Sequence, residues 1–202
     1  MHPISLYDSV FLAMMAACFL IRTPLELRNR RIRTVESREG ATGKFLLMLV
    51  FTGSTTLPLL YFVTHWLDVA AYRVPPLAGG IGIALAILGV GLFWKSHHDL
   101  GRQFSPTLEM KESHALVAHG IYSRIRHPMY TALFVVAAAQ MLLIGNAIAG
   151  PAFLIAFSLL YVTRIDHEEK MMLDHFGPTY ADYTLRTNRL LPSLRQSPAH
   201  RL

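Results

Sequence analysis

The chain has 202 residues, 52% of them hydrophobic and only 16% charged, with a mean hydropathy of +0.35. That composition excludes a disordered chain, a collagen-like chain and a coiled coil, and the single cysteine, Cys18, excludes a disulfide framework or a multi-cysteine zinc site. A formal charge of +6 and a pI near 9.7 would suggest nucleic acid on a soluble protein, but this apolar content points to a membrane and to no nucleic acid.

Five apolar stretches follow in chain order, at about residues 4–21, 45–66, 77–94, 129–144 and 147–163. A helix crosses the hydrocarbon core with about 20 mainly apolar residues. The first three stretches have that length. The last two are shorter and share the turn Gly145-Asn146, so they read as a helical hairpin, tilted or slightly thinning the bilayer.

The cations sort by side. Lys and Arg number 7 in residues 22–44, 1 in the loop after the second stretch, 5 in residues 95–126, 0 between the last two stretches and 6 from Arg164 onward. This is the positive-inside pattern of five membrane-spanning helices with the N-terminus outside and the C-terminus cytosolic. The fold class expected is therefore all-α: a single polytopic membrane domain over residues 1–202, with a cytosolic helical segment over 164–202. Met15-Ala16-Ala17-Cys18 resembles a lipoprotein cleavage box, but secretory signals carry their positive charge before the apolar run, and here Arg22 follows it. The first stretch is read as retained, with Asp8 near its outer end.

The third stretch is rich in small residues. Ala78, Gly82 and Ala86 are spaced by four, which lets helices pack closely in lipid. Gly80-x-Gly82 has no preceding strand and lies inside a span, so it is not a dinucleotide loop. The basic run over residues 28–38 reads as a solvated loop beside lipid headgroups. Chemistry is left to the polar segments 95–128 and 164–202.

The first of these holds His114-x-Leu116-Val117-x-x-Gly120-x-Tyr122-x-x-x-Arg126-His127-Pro128-x-Tyr130. Gly120 permits a tight turn. Proline suits the first position of a helix, so Pro128 starts the fourth span, whose free N–H groups and positive dipole end attract an anion. The alternative is a charged membrane-edge loop with aromatic anchors at Tyr122 and Tyr130. The second segment opens with Arg164-x-x-x-Glu168-Glu169, in which Arg164, His167 and Glu168 share a helix face and Glu169 is rotated off it. Arg164 sits where the fifth span leaves the membrane, lining a polar cavity or reaching the interface. The ten histidines form no HExxH or ladder spacing, so no metal is expected. No Gly-x-Ser-x-Gly, Ser-x-x-Lys or phosphate-binding lysine loop appears.

In this order, His114 to Val117, Gly120-Ile121-Tyr122, Arg126-His127-Pro128-Met129-Tyr130, Arg164 with Glu168-Glu169, and Phe176-Gly177-x-x-Tyr180-x-x-Tyr183 with Arg189 and Pro192 resemble the isoprenylcysteine carboxyl methyltransferase family, especially its short five-span prokaryotic members. The resemblance covers about residues 90–192; the first 90 match in topology only. It implies an S-adenosylmethionine-dependent methyltransferase of the membrane (the cytoplasmic membrane in a prokaryote), yielding S-adenosylhomocysteine. The cofactor pocket, formed by the loop after the third span and the C-terminal segment, would take Glu109, His114, Ala115, Leu116, Val117, Tyr122, His127, Pro128, Met129, Tyr130 and Glu168. Arg164 would bind the substrate carboxylate, and Arg164 and Glu168 are the residues implied for catalysis. The partners implied are a lipophilic substrate from the bilayer and membrane lipids. A phospholipid amine or a small thiol remains open as methyl acceptor, as does a non-catalytic membrane binding protein; a distant likeness to sterol reductases would require a nicotinamide cofactor instead.

Overall fold

The computed structural model describes residues 4–29, 34–37, 40–101, 109–111 and 115–192. Helix α1 (Leu6–Asn29) begins with a reciprocal cap. Ser5 donates through its N–H and Oγ to Asp8 Oδ2 at 2.9 and 2.7 Å, and the Asp8 N–H returns a 3.2 Å bond to Ser5 Oγ. That cap satisfies donors which a helix end otherwise leaves open. The helix outruns the apolar stretch 4–21: it continues through Arg22, paired with Glu26 at 3.2 Å, and through Pro24 to Asn29.

The second crossing is built from α2 (Ala41–Phe51), a π turn (Thr52–Thr56) and α3 (Leu57–Val63). A π turn shifts the backbone hydrogen-bond ladder by one residue and exposes carbonyls that lipid cannot satisfy. Gln140, fully buried, supplies the donor: its Nε2 reaches Gly53 O and Ala149 O, each at 2.8 Å. Gly53 has no room for a side chain, because a Cβ there would lie 2.8 Å from the Ala152 carbonyl group.

Helix α4 (Pro76–Leu100) packs chiefly on α5 (Pro128–Leu143) and α1. Its small residues make that approach possible: a Cβ on Gly82 would lie 2.9 Å from Leu143 Cγ. Helix α6 (Ala149–Phe176) packs on α5, α2 and the π turn, and α7 (Pro178–Arg186) folds back on it. Phe11, Met14, Leu46, Tyr61, Ala86, Leu143, Phe153 and Phe157 meet in one core.

The expected α5–α6 turn is present and capped. Asn146 Oδ1 accepts from the Ile148 and Ala149 N–H groups at 3.0 and 2.9 Å, while its Nδ2 donates to Leu67 O at 2.7 Å. The Tyr72 N–H donates to Gly145 O and the Ala147 N–H to Ala70 O, each at 2.8 Å, tying this turn to the loop between α3 and α4.

Among the described residues, four helices are long and apolar enough to cross a membrane: Leu6–Leu27, Ala41–Val63, Pro76–Leu100 and Ala149–Phe176. Helix α5 has 16 residues and is shorter. Large apolar side chains such as Leu20, Leu77, Ile87 and Val162 stay exposed on the outer faces, the arrangement lipid requires and water disfavours. The protein is an integral membrane protein with a helical fold.

Two boundaries differ from expectation at the polar end. The segment from Arg164 to Phe176 continues α6 without a break. The basic loop after the first crossing contributes β1 (Thr34–Ser37), which pairs antiparallel with β2 (Glu109–Lys111), Ser37 opposite Glu109.

Candidate active site

The end of α4 sets the loop that precedes α5. Asp99 takes Lys95 Nζ at 2.7 Å and the Ile121 N–H at 2.9 Å. Its carboxylate thereby caps the 3-10 turn Gly120–Ser123. Gly120 is needed there twice over: its φ is +58°, and a Cβ would collide with Asp99 Oδ2. Tyr122 is buried behind the turn. Its main-chain carbonyl accepts from Tyr183 Oη at 2.7 Å, and its own hydroxyl reaches Ser96 O at 3.5 Å. Burial pushes the phenols of Tyr122 and Tyr180 well above the usual range and that of Tyr183 up to about 12. All three remain neutral donors at physiological pH.

His127 and Pro128 follow as expected. His127 is the N-cap of α5, with φ −123° and ψ 60°, and Pro128 occupies its first turn. The chain here runs beside the segment after α7. The Arg126 and His127 N–H groups donate to Asn188 O at 2.8 Å and Arg189 O at 3.0 Å, and Thr131 Oγ1 donates to Leu190 O at 2.6 Å.

Side chains from α5 and α6 then converge. Tyr130 Oη donates to Glu168 Oε2 at 2.7 Å, and Arg164 Nε lies 3.8 Å from the same oxygen. The other oxygen, Glu168 Oε1, lies 3.7 Å from His127 Nδ1. Arg164 is buried, 9% exposed, whereas Glu168 is half-open at 26%. The sequence thus paired Arg164 with Glu168 correctly. His167 does not join them: it is exposed, and its Nδ1 sits 3.0 Å from Thr163 O on its own helix.

The rotated neighbour, Glu169, proves to be a centre of its own. It receives Arg126 Nε at 3.0 Å and His127 Nε2 at 3.2 Å on Oε1, and Arg189 Nε and Nη2 at 3.1 and 2.7 Å on Oε2. Arg126 also donates to the carbonyls of Thr184, at 2.9 Å, and Thr187. Arg126, Glu169, Arg189 and Asp99 were outside the site set read from sequence. The available signal was the Glu168-Glu169 pair itself: adjacent helical residues point about 100° apart, so two carboxylates can serve two clusters.

Of the remaining expected residues, Leu116, Val117 and Met129 are half-buried and Ala115 is exposed, in the chain leading into the turn and the first turn of α5. His114 and the Glu109 side chain lie outside the described residues. Among the described residues no group of three His, Cys, Asp or Glu side chains could hold a metal ion. The Tyr180 hydroxyl is buried and has no hydrogen-bond partner among the described residues, and it lies within electrostatic reach of Glu169, Arg126 and Glu168.

The sequence model of the isoprenylcysteine carboxyl methyltransferase (ICMT) family matches residues 82–174. A protein-S-isoprenylcysteine O-methyltransferase of Tribolium castaneum is 30% identical over 139 residues, covering 64% of this chain and 50% of that protein. One of Saccharomyces cerevisiae is 32% identical over 105 residues, covering 51% of this chain and 44% of that protein. The chain therefore spans about half the length of these curated relatives. A solved structure of a eukaryotic intramembrane Ras methyltransferase, itself an isoprenylcysteine carboxyl methyltransferase, superposes with a TM-score of 0.54 at 25% identity, over 92% of this chain and 64% of that one. The matched stretch runs from within α4 to the last turns of α6 and contains Asp99, Arg126, His127, Tyr130, Arg164, Glu168 and Glu169. Through residues 82–174 the chain is similar to the isoprenylcysteine carboxyl methyltransferase family.

Proposed function

We propose that this protein is an S-adenosylmethionine-dependent methyltransferase that methylates the carboxylate of an isoprenylcysteine or a similar lipophilic acid. The observation that carries this reading is the buried Arg164 beside the half-open Glu168, at the point where the apolar part of α6 ends. A guanidinium held there is the group that orients a carboxylate arriving from the bilayer, bidentately where geometry allows. Methylation at a carboxylate requires no general base, because the acceptor is already ionised at neutral pH.

The side chains fit a cationic methyl donor. Glu168 offers a carboxylate oxygen, His127 a ring nitrogen 3.7 Å from it, and Tyr180 a buried hydroxyl, without a partner among the described residues, within electrostatic reach of Glu168. His127, Pro128, Met129, Tyr130 and Glu168 would hold the cofactor, with Tyr122, Ala115, Leu116 and Val117 as pocket wall. When bound, S-adenosylmethionine supplies an electrophilic methyl group on sulfur. The protein supplies positioning and the exclusion of water, the main needs of an in-line displacement. Helix α5 acts as a short fifth crossing, with the N-terminus outside and the C-terminal segment in the cytosol, a reading that the sorting of Lys and Arg supports.

The test uses methyl-labelled S-adenosylmethionine, the purified protein and a prenylcysteine analogue, with mild base applied to the products. Label released as volatile methanol identifies a carboxyl ester. Base-stable label means an amine or thiol acceptor, and no incorporation with any lipid extract removes the reading.

A further inference from the structure

His127 stands between two carboxylates that do different things. Its Nε2 is 3.2 Å from Glu169 Oε1, within hydrogen-bond range, and its Nδ1 is 3.7 Å from Glu168 Oε1, which is not. Glu169 holds two guanidiniums, Arg126 at 3.0 Å and Arg189 at 2.7 Å. A carboxylate so paired is ionised and can only accept, so the proton of a neutral imidazole must sit on Nε2. Nδ1 is then left with a lone pair. It faces Glu168 Oε1, whose companion oxygen already receives the Tyr130 hydroxyl at 2.7 Å.

Two acceptors side by side repel each other unless a donor comes between them. The ring is buried and cannot escape the contact by moving into water. A positively charged N–H group, with several donors and no acceptor, satisfies both at once.

We propose that Glu169 is a positioning residue that fixes the Nε2–H tautomer of His127, so that His127 Nδ1 and Glu168 Oε1 together form a receptor for the ammonium group of the methyl donor. The role of the ligand rests on the methyltransferase reading; the tautomer does not. Arg126 and Arg189 hold Glu169 in turn, so the segment after α7 contributes to the site through Arg189 without touching the ligand. A carboxylate or hydroxyl held by a second partner is the usual means of orienting a functional imidazole.

The decisive measurement is nitrogen-15 NMR of histidine-labelled protein in detergent, with His127→Asn used to assign the signal. A neutral ring protonated on Nε2 supports the proposal; a proton on Nδ1, or on both nitrogens at the assay pH, overturns it. This readout needs neither the substrate nor any turnover. Glu169→Gln is the companion variant, since an amide can either donate or accept and no longer selects a tautomer. It should give mixed tautomer signals and weaken S-adenosylhomocysteine affinity about tenfold, the loss expected for one charge-assisted contact. Deaminated analogues of S-adenosylhomocysteine, which lack the ammonium, should lose the difference between wild type and Glu169→Gln. An equal loss for ammonium-containing and ammonium-free analogues would show a merely structural role and overturn the proposal. Failure of methyl transfer with a correct tautomer would overturn the proposed function alone.

Discussion

Arg189 and Glu169, twenty positions apart, form a two-nitrogen contact at 3.1 and 2.7 Å that fastens the segment after α7 to the polar end of α6. Arg189 also reaches Asp166 Oδ1 at 2.8 Å. Its main-chain carbonyl accepts the His127 N–H, so one residue holds both walls of the candidate site.

Arg189→Gln removes the charge and the fork while keeping length. The contact is half-exposed, so the loss is modest, about 1–2 kcal/mol. Thermal unfolding in detergent should shift down by a few degrees. An unchanged midpoint would mean that the main-chain bonds to Asn188 and Arg189 hold the segment without the side chain.

Arg164→Ala and Glu168→Ala should separate binding from turnover. Glu168→Ala weakens S-adenosylhomocysteine binding by calorimetry, whereas Arg164→Ala spares it and lowers kcat/KM for the acid by about a hundredfold or more. If both variants keep wild-type turnover, the assignment of these two residues is wrong.

Tyr180→Phe removes a buried hydroxyl that has no partner among the described residues. No protein hydrogen bond is lost, and a desolvated polar group disappears. The ligand-free protein should be as stable as wild type or more stable by about 1 kcal/mol, while S-adenosylhomocysteine should stabilise the variant less than it stabilises wild type. Clear destabilisation of the ligand-free variant would show that the hydroxyl has a partner in the fold.

Gln140→Leu replaces the donor that serves Gly53 O and Ala149 O inside the membrane. Polar contacts between helices in lipid are worth about 1 kcal/mol. The side chains are close in volume, so unfolding in mixed micelles should report a loss of about that size, centred on the α2–α6 contact. A neutral result would mean that the π turn satisfies its own carbonyls.

Tyr183 gives a pH dependence with a defined sign. Burial raises its phenol from the usual 10 to about 12 in the folded protein. The fold therefore favours the protonated form: the stabilisation is fully present below pH 10 and is lost as pH rises from 10 through 12. Near-ultraviolet titration of tyrosinate should show a late component that Tyr183→Phe reduces by one tyrosine, Tyr122 and Tyr180 titrating later still, and unfolding midpoints should fall across the same interval.

Much of this was legible in the residues. Asp8 at a helix start, Gly120 at a turn, Pro128 at the first turn of a helix and Asn146 in a tight hairpin each act within a few residues of themselves, and local chemistry is written in local sequence. Arg164 and Glu168 meet because helical spacing brings them together. Asp99 and Ile121 are 22 positions apart, and Gln140 serves a carbonyl 87 positions away, so neither contact has a periodicity to betray it.

The sequence by itself determined a membrane chain with its charge at one end, because hydrocarbon admits few cations and burial of long apolar runs needs no partner to be recognised. The two polar segments it singled out are the ones whose side chains the fold brings together, His127 from the first beside Glu168 and Glu169 from the second. Only the tertiary structure decided that Glu168 and Glu169 divide the work, one open beside Arg164 and one closed among Arg126, His127 and Arg189. Adjacent carboxylates look alike in sequence; what separates them is which cations the folded chain brings within 3 or 4 Å of each.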